Sequence, residues 1–322
     1  MGLRNLITII ICFVGFSISA QTETRQKSNT KPLKVKNNIY IIQSKGGNIG
    51  LSSGNDGVFM IDDQFENAIP GIITEIKKLN DKPIKYLVNT HHHGDHTGGN
   101  ILIAKNGTII FSHENVRKRL GDYIRNSSVK IDADILPIIT FSEDLTFHFN
   151  GEKIMVFHVH NAHTDGDVIV YFTKSNVIHT GDIFFNGKYP FIDLNSGGSL
   201  QGSIDAIDKI LMLADDKTII IPGHGNLASI NDLRTTRSML TFLWKRIRHH
   251  IVNKKTEDEV VNMKELTEEY DAKGFGDGFI STDKFIRTIY KDVIKDLGPI
   301  DNRTMEERLN DKLKDAENKN KG

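Results

Sequence analysis

The stretch that decides the fold is NTHHHGDHTGGN, residues 89–100. It follows PIKYLV, an apolar run typical of a buried strand, and it ends in a pair of glycines before the last asparagine. The side chains in it that are able to bind a metal are His91, His92, His93, Asp95 and His96. A histidine-rich surface loop or a remnant of a purification tag would have a similar composition, so the rest of the chain has to decide between these interpretations.

Three later strand ends offer further metal-binding side chains. His163 follows an apolar run in HNAHTDGD, Asp182 ends HTGD after another, and His224 lies in PGHG after a third. Each is flanked by glycine or another small residue, as needed where backbone passes close to a bound ion. Four strand ends that each present a ligand are not typical of a tag or a solvated loop, and imidazole with carboxylate suits a zinc-like ion.

The first cluster has the spacing for two cations rather than one. In a tight turn at a strand end, alternate residues can point to the same side. His91 and His93 could therefore bind one cation, while Asp95 and His96 lean toward a second. His92, between two of these residues, is expected to point the other way.

Taken in order, HxHxDH, the histidine of AHTDGD, the aspartate of TGD and PGHG resemble the metallo-β-lactamase superfamily, over residues 38–228. The segments HENVRKRL, YPFIDLNSGGS and FGDGFISTDKF resemble a secreted branch of metal-dependent hydrolases within it. The resemblance implies an α/β fold, a four-layer αβ/βα sandwich with the metals at one edge between two sheets. The helical C-terminal segment is expected to be an extension of that domain.

The resemblance also implies a ligand set for two Zn²⁺ ions. The first ion would be held by His91, His93 and His163, the second by Asp95, His96 and His224, with Asp182 bridging both. Some true β-lactamases of the superfamily use cysteine near the position of Asp182, whereas the aspartate here is more like the glyoxalase-II and general hydrolase pattern.

The implied activity is that of a dinuclear zinc-dependent hydrolase. A metal-bound hydroxide would attack an amide, ester, lactone or thioester carbonyl, with β-lactams among the possible substrates. Asp95 is the expected catalytic residue, because it can orient the hydroxide and accept its proton. Two alternatives stay open: an iron-dependent redox enzyme on the same scaffold, and a non-catalytic metal-binding protein.

The implied activity predicts a small-molecule substrate as the partner, and composition argues against nucleic acid. Lys and Arg number 41 and Asp and Glu also 41, so net charge gives no reason to expect nucleic acid. Oligomeric state cannot be read from the sequence.

The chain divides into five segments. They are a signal peptide over residues 1–20, a flexible lead-in over 21–36, the catalytic domain over 37–228, a helical segment over 229–300 and a charged tail over 301–322. Cleavage after Ala20 predicts a periplasmic or secreted protein with no membrane anchor. Cleavage would also remove Cys12, the one cysteine of the chain, so the mature protein would have no thiolate ligand.

Several residues near the motifs have two interpretations each. Asp62 either hydrogen-bonds the metal-loop histidines or caps the next segment. Phe191 could line the pocket or pack in the core, and so could Tyr189. His158, His160 and His179 are expected to be structural, and the glycines of residues 46–50 predict a mobile hairpin.

Overall fold

Short apolar runs in the first half of the chain pair into one mixed sheet of seven strands. The computed structural model describes residues 30–298, so the predicted signal peptide and charged tail lie outside the described residues. The strands, in sheet order, are β1 (Leu33–Lys36), β2 (Ile39–Ile42), β3 (Ile49–Gly54), β4 (Gly57–Ile61), β5 (Ile84–Val88), β6 (Ile109–His113) and β7 (Ile139–Phe141). Pairing is antiparallel from β1 to β4 and parallel from β4 to β7.

One boundary differs from the sequence prediction. Leu33–Lys36 was assigned to the flexible lead-in, but it forms β1, an edge strand. Its residues pair with β2, with Leu33 opposite Ile41 and a shift in register before Lys36. The sequence LKVK alternates charge with apolar side chains, as suits a half-exposed edge strand, and its lysines suggested a flexible segment.

The chain after β7 supplies a second sheet, of six strands. They are β8 (Asp144–Phe149), β9 (Glu152–His158), β10 (Val168–Phe172), β11 (Val177–His179), β12 (Ile219–Ile221) and β13 (Ala228–Ser229). Their order across the sheet is β13-β12-β11-β10-β9-β8, and pairing is antiparallel except between β11 and β12.

The two sheets pack face to face, and β4 shows why its sequence is apolar throughout. Successive side chains of a strand point to opposite faces. Phe59 and Ile61 lie in the core between the sheets, whereas Val58 and Met60 face a second core on the outer side. The ring of Phe59 lies 6.4 Å from that of Phe172 on the opposite sheet, edge to face. A strand buried on both faces therefore reads as a continuous apolar run.

Helices cover the outer face of each sheet. The α-helices of residues 30–298, of which α2 belongs to the metal loop, are α1 (Ile69–Leu79), α2 (Gly94–Thr97), α3 (Asn100–Ala104), α4 (Glu114–Asn126), α5 (Leu200–Leu213), α6 (Ile230–Val252), α7 (Glu257–Val261), α8 (Glu268–Asp271) and α9 (Thr282–Leu297). Helices α1 and α3 pack on the first sheet, α5 and α6 pack on the second, and α9 packs on α6 and α7. The four-layer αβ/βα sandwich with a helical C-terminal extension is confirmed. No helix within residues 30–298 has the length and apolar content needed to cross a membrane.

The carboxyl ends of strands from both sheets meet at one edge of the sandwich. The loop after β5 contains residues 89–93, the loop after β9 contains His163, and Asp182 and His224 follow β11 and β12. Because β11 and β12 run parallel, their carboxyl ends lie side by side. The fold thus brings together side chains that are more than 100 residues apart in the chain.

Candidate metal centre

Asp182 lies at the middle of the predicted site. Its Oδ2 atom is 3.8 Å from Nε2 of His91 and 3.7 Å from Nε2 of His163. The same atom is 3.4 Å from Nε2 of His224. Its other oxygen, Oδ1, is 3.1 Å from Nε2 of His96. One buried carboxylate therefore faces histidines of both predicted ligand groups.

All seven residues predicted from the sequence converge on this point. In the first group the donor atoms lie within 4.8 Å of one another, and the group consists of His91, His93, His163 and Asp182. A second group of the same compactness consists of Asp95, His96 and His224. The division between the two groups is the one that the resemblance implied, although the role of each residue as a ligand stays a prediction.

Hydrogen bonds on the outer side fix the rings of His96 and His91. The Nδ1 atom of His96 donates to Oδ2 of Asp62 at 2.7 Å. The hydroxyl of Thr90 donates its one proton to the same Asp62 oxygen, also at 2.7 Å. It must therefore accept from Nδ1 of His91, which lies 3.0 Å away. Both histidines are left with Nε2 turned toward Asp182, so Asp62 orients the metal loop rather than capping the next segment.

The other two histidines of the first group are held by residues of the segment between β11 and α5. Nδ1 of His163 faces the main-chain oxygen of Phe191 at 2.7 Å, which can only accept, so the proton is on Nδ1. Nε2 of His93 donates to Oδ2 of Asp193 at 3.1 Å. This leaves Nε2 of His163 and Nδ1 of His93 as lone pairs, 2.9 Å apart. Sequence reasoning missed both of these acceptors.

Burial and charge set the protonation of the inner atoms. Burial lowers the pKa of His91 well below its usual value, and it lowers the pKa of His163 to about 4. Both rings are therefore neutral at pH 7, as metal ligands must be. For Asp182, burial would raise the pKa, but the charges of His96 and His224 outweigh it and hold the pKa well below the usual range.

Without a cation, two histidines of the second group would carry the positive charge that the carboxylates require. Burial opposes protonation of His96 and His224, but Asp182 outweighs it, raising the pKa of His96 well above its usual value and that of His224 to about 9. Among residues 30–298, Nε2 of His91, Nε2 of His96 and Oδ1 of Asp182 are buried without a hydrogen-bond partner. Buried polar atoms without a partner need compensation, and a metal ion bound to their lone pairs supplies it, so the residues fit a divalent cation.

Two glycines allow the close packing around these ligands. A Cβ atom on Gly47 would lie 2.1 Å from Cε1 of His96, and one on Gly223 would lie 2.0 Å from Oδ1 of Asp182. Gly47 is buried, and its amide donates to the main-chain oxygen of Asp95 at 3.1 Å. The expected mobile hairpin is therefore wrong for this position, because the glycine serves close approach to the metal loop.

A cavity of about 500 Å³ opens over the centre. Its lining includes Asp95, Asp182 and His224 together with aromatic side chains, among them Phe191. Phe191 thus lines the pocket, whereas Tyr189 packs in the core, where its ring is stacked 4.6 Å from that of Phe285. A second cavity of about 760 Å³ lies on the other side of the metal loop, and His92 and His93 are among its walls.

The remaining histidines near the motifs lie outside the two ligand groups. His92 points away from Asp182, and its Nε2 atom is 3.4 Å from the hydroxyl of Ser196. His179 has both ring nitrogens bonded to main chain, at Asn48 and Gly181. Nδ1 of His158 donates to a main-chain oxygen at 2.8 Å. These contacts agree with the structural roles expected for His179 and His158.

Comparison with known proteins agrees with this geometry. The model of the metallo-beta-lactamase superfamily matches residues 35–224. Hydroxyacylglutathione hydrolase of Pelagibacter ubique is 30% identical over 155 residues, which are 46% of this chain and 56% of that protein. A Methanocaldococcus jannaschii protein named "Probable metallo-hydrolase" is 29% identical over 202 residues, 59% of this chain and 88% of that protein. The chain thus spans little more than half the length of the first of these relatives.

A solved structure shows the same fold. The metallo-beta-lactamase from Pontibacter korlensis superposes with a TM-score of 0.57 and 22% identity, covering 66% of this chain and 98% of that one. At this identity the likeness bears on the fold alone. The family match covers more than half of the chain and includes every residue of the two ligand groups. From its metal-binding motifs, its four-layer fold and this match, the chain belongs to the metallo-β-lactamase superfamily.

Proposed function

We propose that the protein is a dinuclear zinc-dependent hydrolase that cleaves an amide, ester, lactone or thioester. The observation that carries the proposal is the position of Asp182, whose two oxygens face different groups of histidines. A carboxylate placed in this way is suited to bridging two cations. The neutral nitrogens of the first group and the histidine and aspartate donors of the second are ligands that zinc prefers.

Zinc ions held by these residues would supply a water molecule of lowered pKa and would polarise the substrate carbonyl. Asp95 is the residue placed to handle the proton of that water. Its carboxylate lines the cavity, and Oδ2 lies 3.2 Å from Nε2 of His224. Burial tends to raise the pKa of Asp95, but the hydrogen bond from His224 and the charge of His96 lower it below its usual value. The carboxylate is therefore ionised at neutral pH and can accept a proton.

The residues around the ligands orient the imidazoles and surround the reacting groups with apolar side chains. The outer hydrogen bonds hold the rings of His91, His93, His96 and His163 in one orientation, so these four need no reorganisation when substrate arrives. The apolar side chains around the cavity exclude water from the reacting groups. The name of the Pelagibacter relative, hydroxyacylglutathione hydrolase, supports an acyl compound as the first substrate class to test.

We also propose that the protein is exported and acts in the periplasm or outside the cell. This proposal depends only on residues 1–20, which have one basic residue, an apolar run and small residues at the end. N-terminal sequencing of the protein made in a bacterial host tests it. A chain that begins at Gln21 supports export, whereas a chain that keeps residues 1–20 contradicts it.

Metal content and hydrolysis, measured together, test the main proposal. We expect about two zinc ions per chain by mass spectrometry, and turnover of a chromogenic β-lactam, a thioester or a lactone. His163→Ala should abolish turnover and remove zinc while the circular dichroism spectrum stays native. His148→Ala, at an exposed histidine far from the site, is the matched control. Iron in place of zinc would favour the redox alternative, and full activity of His163→Ala would contradict the assignment.

A further inference from the structure

Three lysines at the catalytic cavity have no acidic partner. Lys45 and Lys188 line the cavity, and the ammonium group of Lys284 lies over the rings of two phenylalanines that also line it. None of the three lies within ion-pair distance of a carboxylate in the part of the chain that the structure describes. The two carboxylates of the lining, Asp95 and Asp182, lie against histidines of the metal centre, so the three lysines leave an excess of positive charge at the rest of the cavity.

The ammonium group of Lys188 is held by a hydrogen bond, and the main chain next to Lys45 is buried, although the Lys45 side chain itself is exposed. Lys45 directly precedes Gly46 and Gly47, which are buried against the metal loop. The amide of Gly47 donates to the main-chain oxygen of Asp95, and its oxygen accepts from Gln64 at 2.7 Å. Lys188 donates to the main-chain oxygen of Gly274 at 2.7 Å. One positive charge is therefore held at the cavity wall, and that of Lys45 is presented to solvent beside it.

Four phenylalanines form the apolar walls of the same cavity: Phe65, Phe185, Phe191 and Phe279. Phe279 is 75% exposed and Phe65 is 43% exposed, so large aromatic surfaces face solvent at the opening. Aromatic surface gathered at a cavity in this way indicates a binding surface for an apolar group.

One aromatic series connects the metal centre with Lys284. The ring of Phe191 is stacked on that of the metal-loop residue His93, with centroids 5.7 Å apart. Phe279 lies edge-on to Phe191 at 5.8 Å. The ammonium group of Lys284 is 5.5 Å from the centroid of Phe191 and 4.7 Å from that of Phe279. A molecule that reacts at the metals and packs along these rings would end beside this ammonium group.

We propose that the substrate is an anionic amphiphile. Its aryl or alkyl body packs on the phenylalanines, and a carboxylate separate from the scissile bond is held by Lys45 and Lys284. The proposal rests on the proposed function, since it takes the cavity to be the catalytic one. It also gives a role to the C-terminal segment, because Phe279 and Lys284 come from residues that follow the sandwich. The lysines give specificity for charge, and the rings provide most of the contact area.

A matched pair of ligands tests this proposal by binding alone. Calorimetry on the zinc-loaded protein at low ionic strength would compare 4-phenylbutyrate with the neutral 4-phenyl-1-butanol. We expect the anion to bind about tenfold more tightly than the alcohol, since each exposed lysine contributes a factor of about two to five. Lys45→Met with Lys284→Met should remove that advantage and leave the alcohol within about twofold of its original affinity, because methionine keeps the apolar stem.

The controls test whether the two lysines cause the difference in affinity between the anion and the alcohol. Lys153→Met, at an exposed lysine away from the cavity, should leave both affinities unchanged. A carboxylate that bound directly to zinc would keep its advantage in the double variant, and that result would overturn the proposal. Equal affinities in the original protein would overturn it too. Thermal melting of each variant verifies that it is folded. Because this experiment measures binding, a failure to hydrolyse any substrate would contradict the proposed function and not this inference.

Discussion

Asp193→Asn should weaken metal binding without unfolding the protein. Oδ2 of Asp193 accepts a hydrogen bond from Nε2 of His93 at 3.1 Å, and Oδ1 accepts from the amides of Asn195 and Ser196 at 3.1 and 3.2 Å. Asparagine can keep the two main-chain bonds through its oxygen, but it then turns its NH₂ group toward His93. Two donors would face each other, so the imidazole would lose its orientation.

The expected loss of zinc affinity in Asp193→Asn follows from the number of contacts that change. One hydrogen bond that orients a ligand is lost, and the loss of such an outer partner costs about 10- to 100-fold in metal affinity, or about 1.4 to 2.7 kcal/mol. Competition with a chromophoric chelator would measure the zinc affinity of each site. Because a metal that binds only the folded state stabilises it, the rise in melting temperature on adding zinc should also be smaller in the variant.

Asp132→Asn is the matched control for this experiment. Asp132 caps a short 3₁₀ turn through the amide of Asp134, as Asp193 caps its own turn, but it contacts no histidine. Its substitution should leave zinc affinity unchanged. A zinc affinity of Asp193→Asn within twofold of the original would refute the reasoning, since the outer hydrogen bond would then have no influence on the ligand.

Three further predictions follow from the same geometry. Gly47→Ala should lower the free energy of unfolding, measured by chemical denaturation, by about 1–3 kcal/mol, because the added Cβ overlaps the ring of His96. Gly71→Ala, whose added Cβ would make only an ordinary contact with Thr30 at 3.6 Å, should not lower it. Asp95→Asn should lower kcat about 10²- to 10⁴-fold in steady-state assays, since the amide cannot accept a proton. Burial lowers the pKa of His158 from 6.5 to about 4, so the unfolded state binds its proton first as pH falls. Stability should therefore be full above pH 6.5 and decline toward pH 4, and melting curves of His158→Gln should show a smaller decline over this window.

The ligand groups could be predicted because their signals are local. In each case a metal-binding side chain directly follows an apolar strand, and the order of HxHxDH, His163, Asp182 and His224 resembles a family pattern that implies both the fold and the division into two groups. Asp182 and His224 come together because β11 and β12 are parallel and end at the same edge of the sheet. The helical cover of both sheets could be predicted in the same way from periodicity.

The groups that hydrogen-bond or pack against the ligands could not be predicted, because they depend on contacts between distant parts of the chain. Asp193 is 100 residues from His93, and nothing in FIDLNSGG shows that it faces that ring. The acceptor for His163 is a main-chain oxygen, for which no residue type gives a signal. Gly47 suggested mobility because glycine is common in flexible loops, whereas the reason for it is the ring of His96, 49 residues further along.

These contacts join the two sheets at the metal centre. Thr90 and Asp62, which follow strands of the first sheet, hold His91 and His96. His93 comes from the same loop, but its partner, Asp193, belongs to the half of the chain that forms the second sheet. A site of this kind has its full geometry only when both sheets are packed together, so metal binding and sheet packing stabilise each other. The outer hydrogen bonds thus contribute to the stability of the sandwich as well as to the orientation of the ligands.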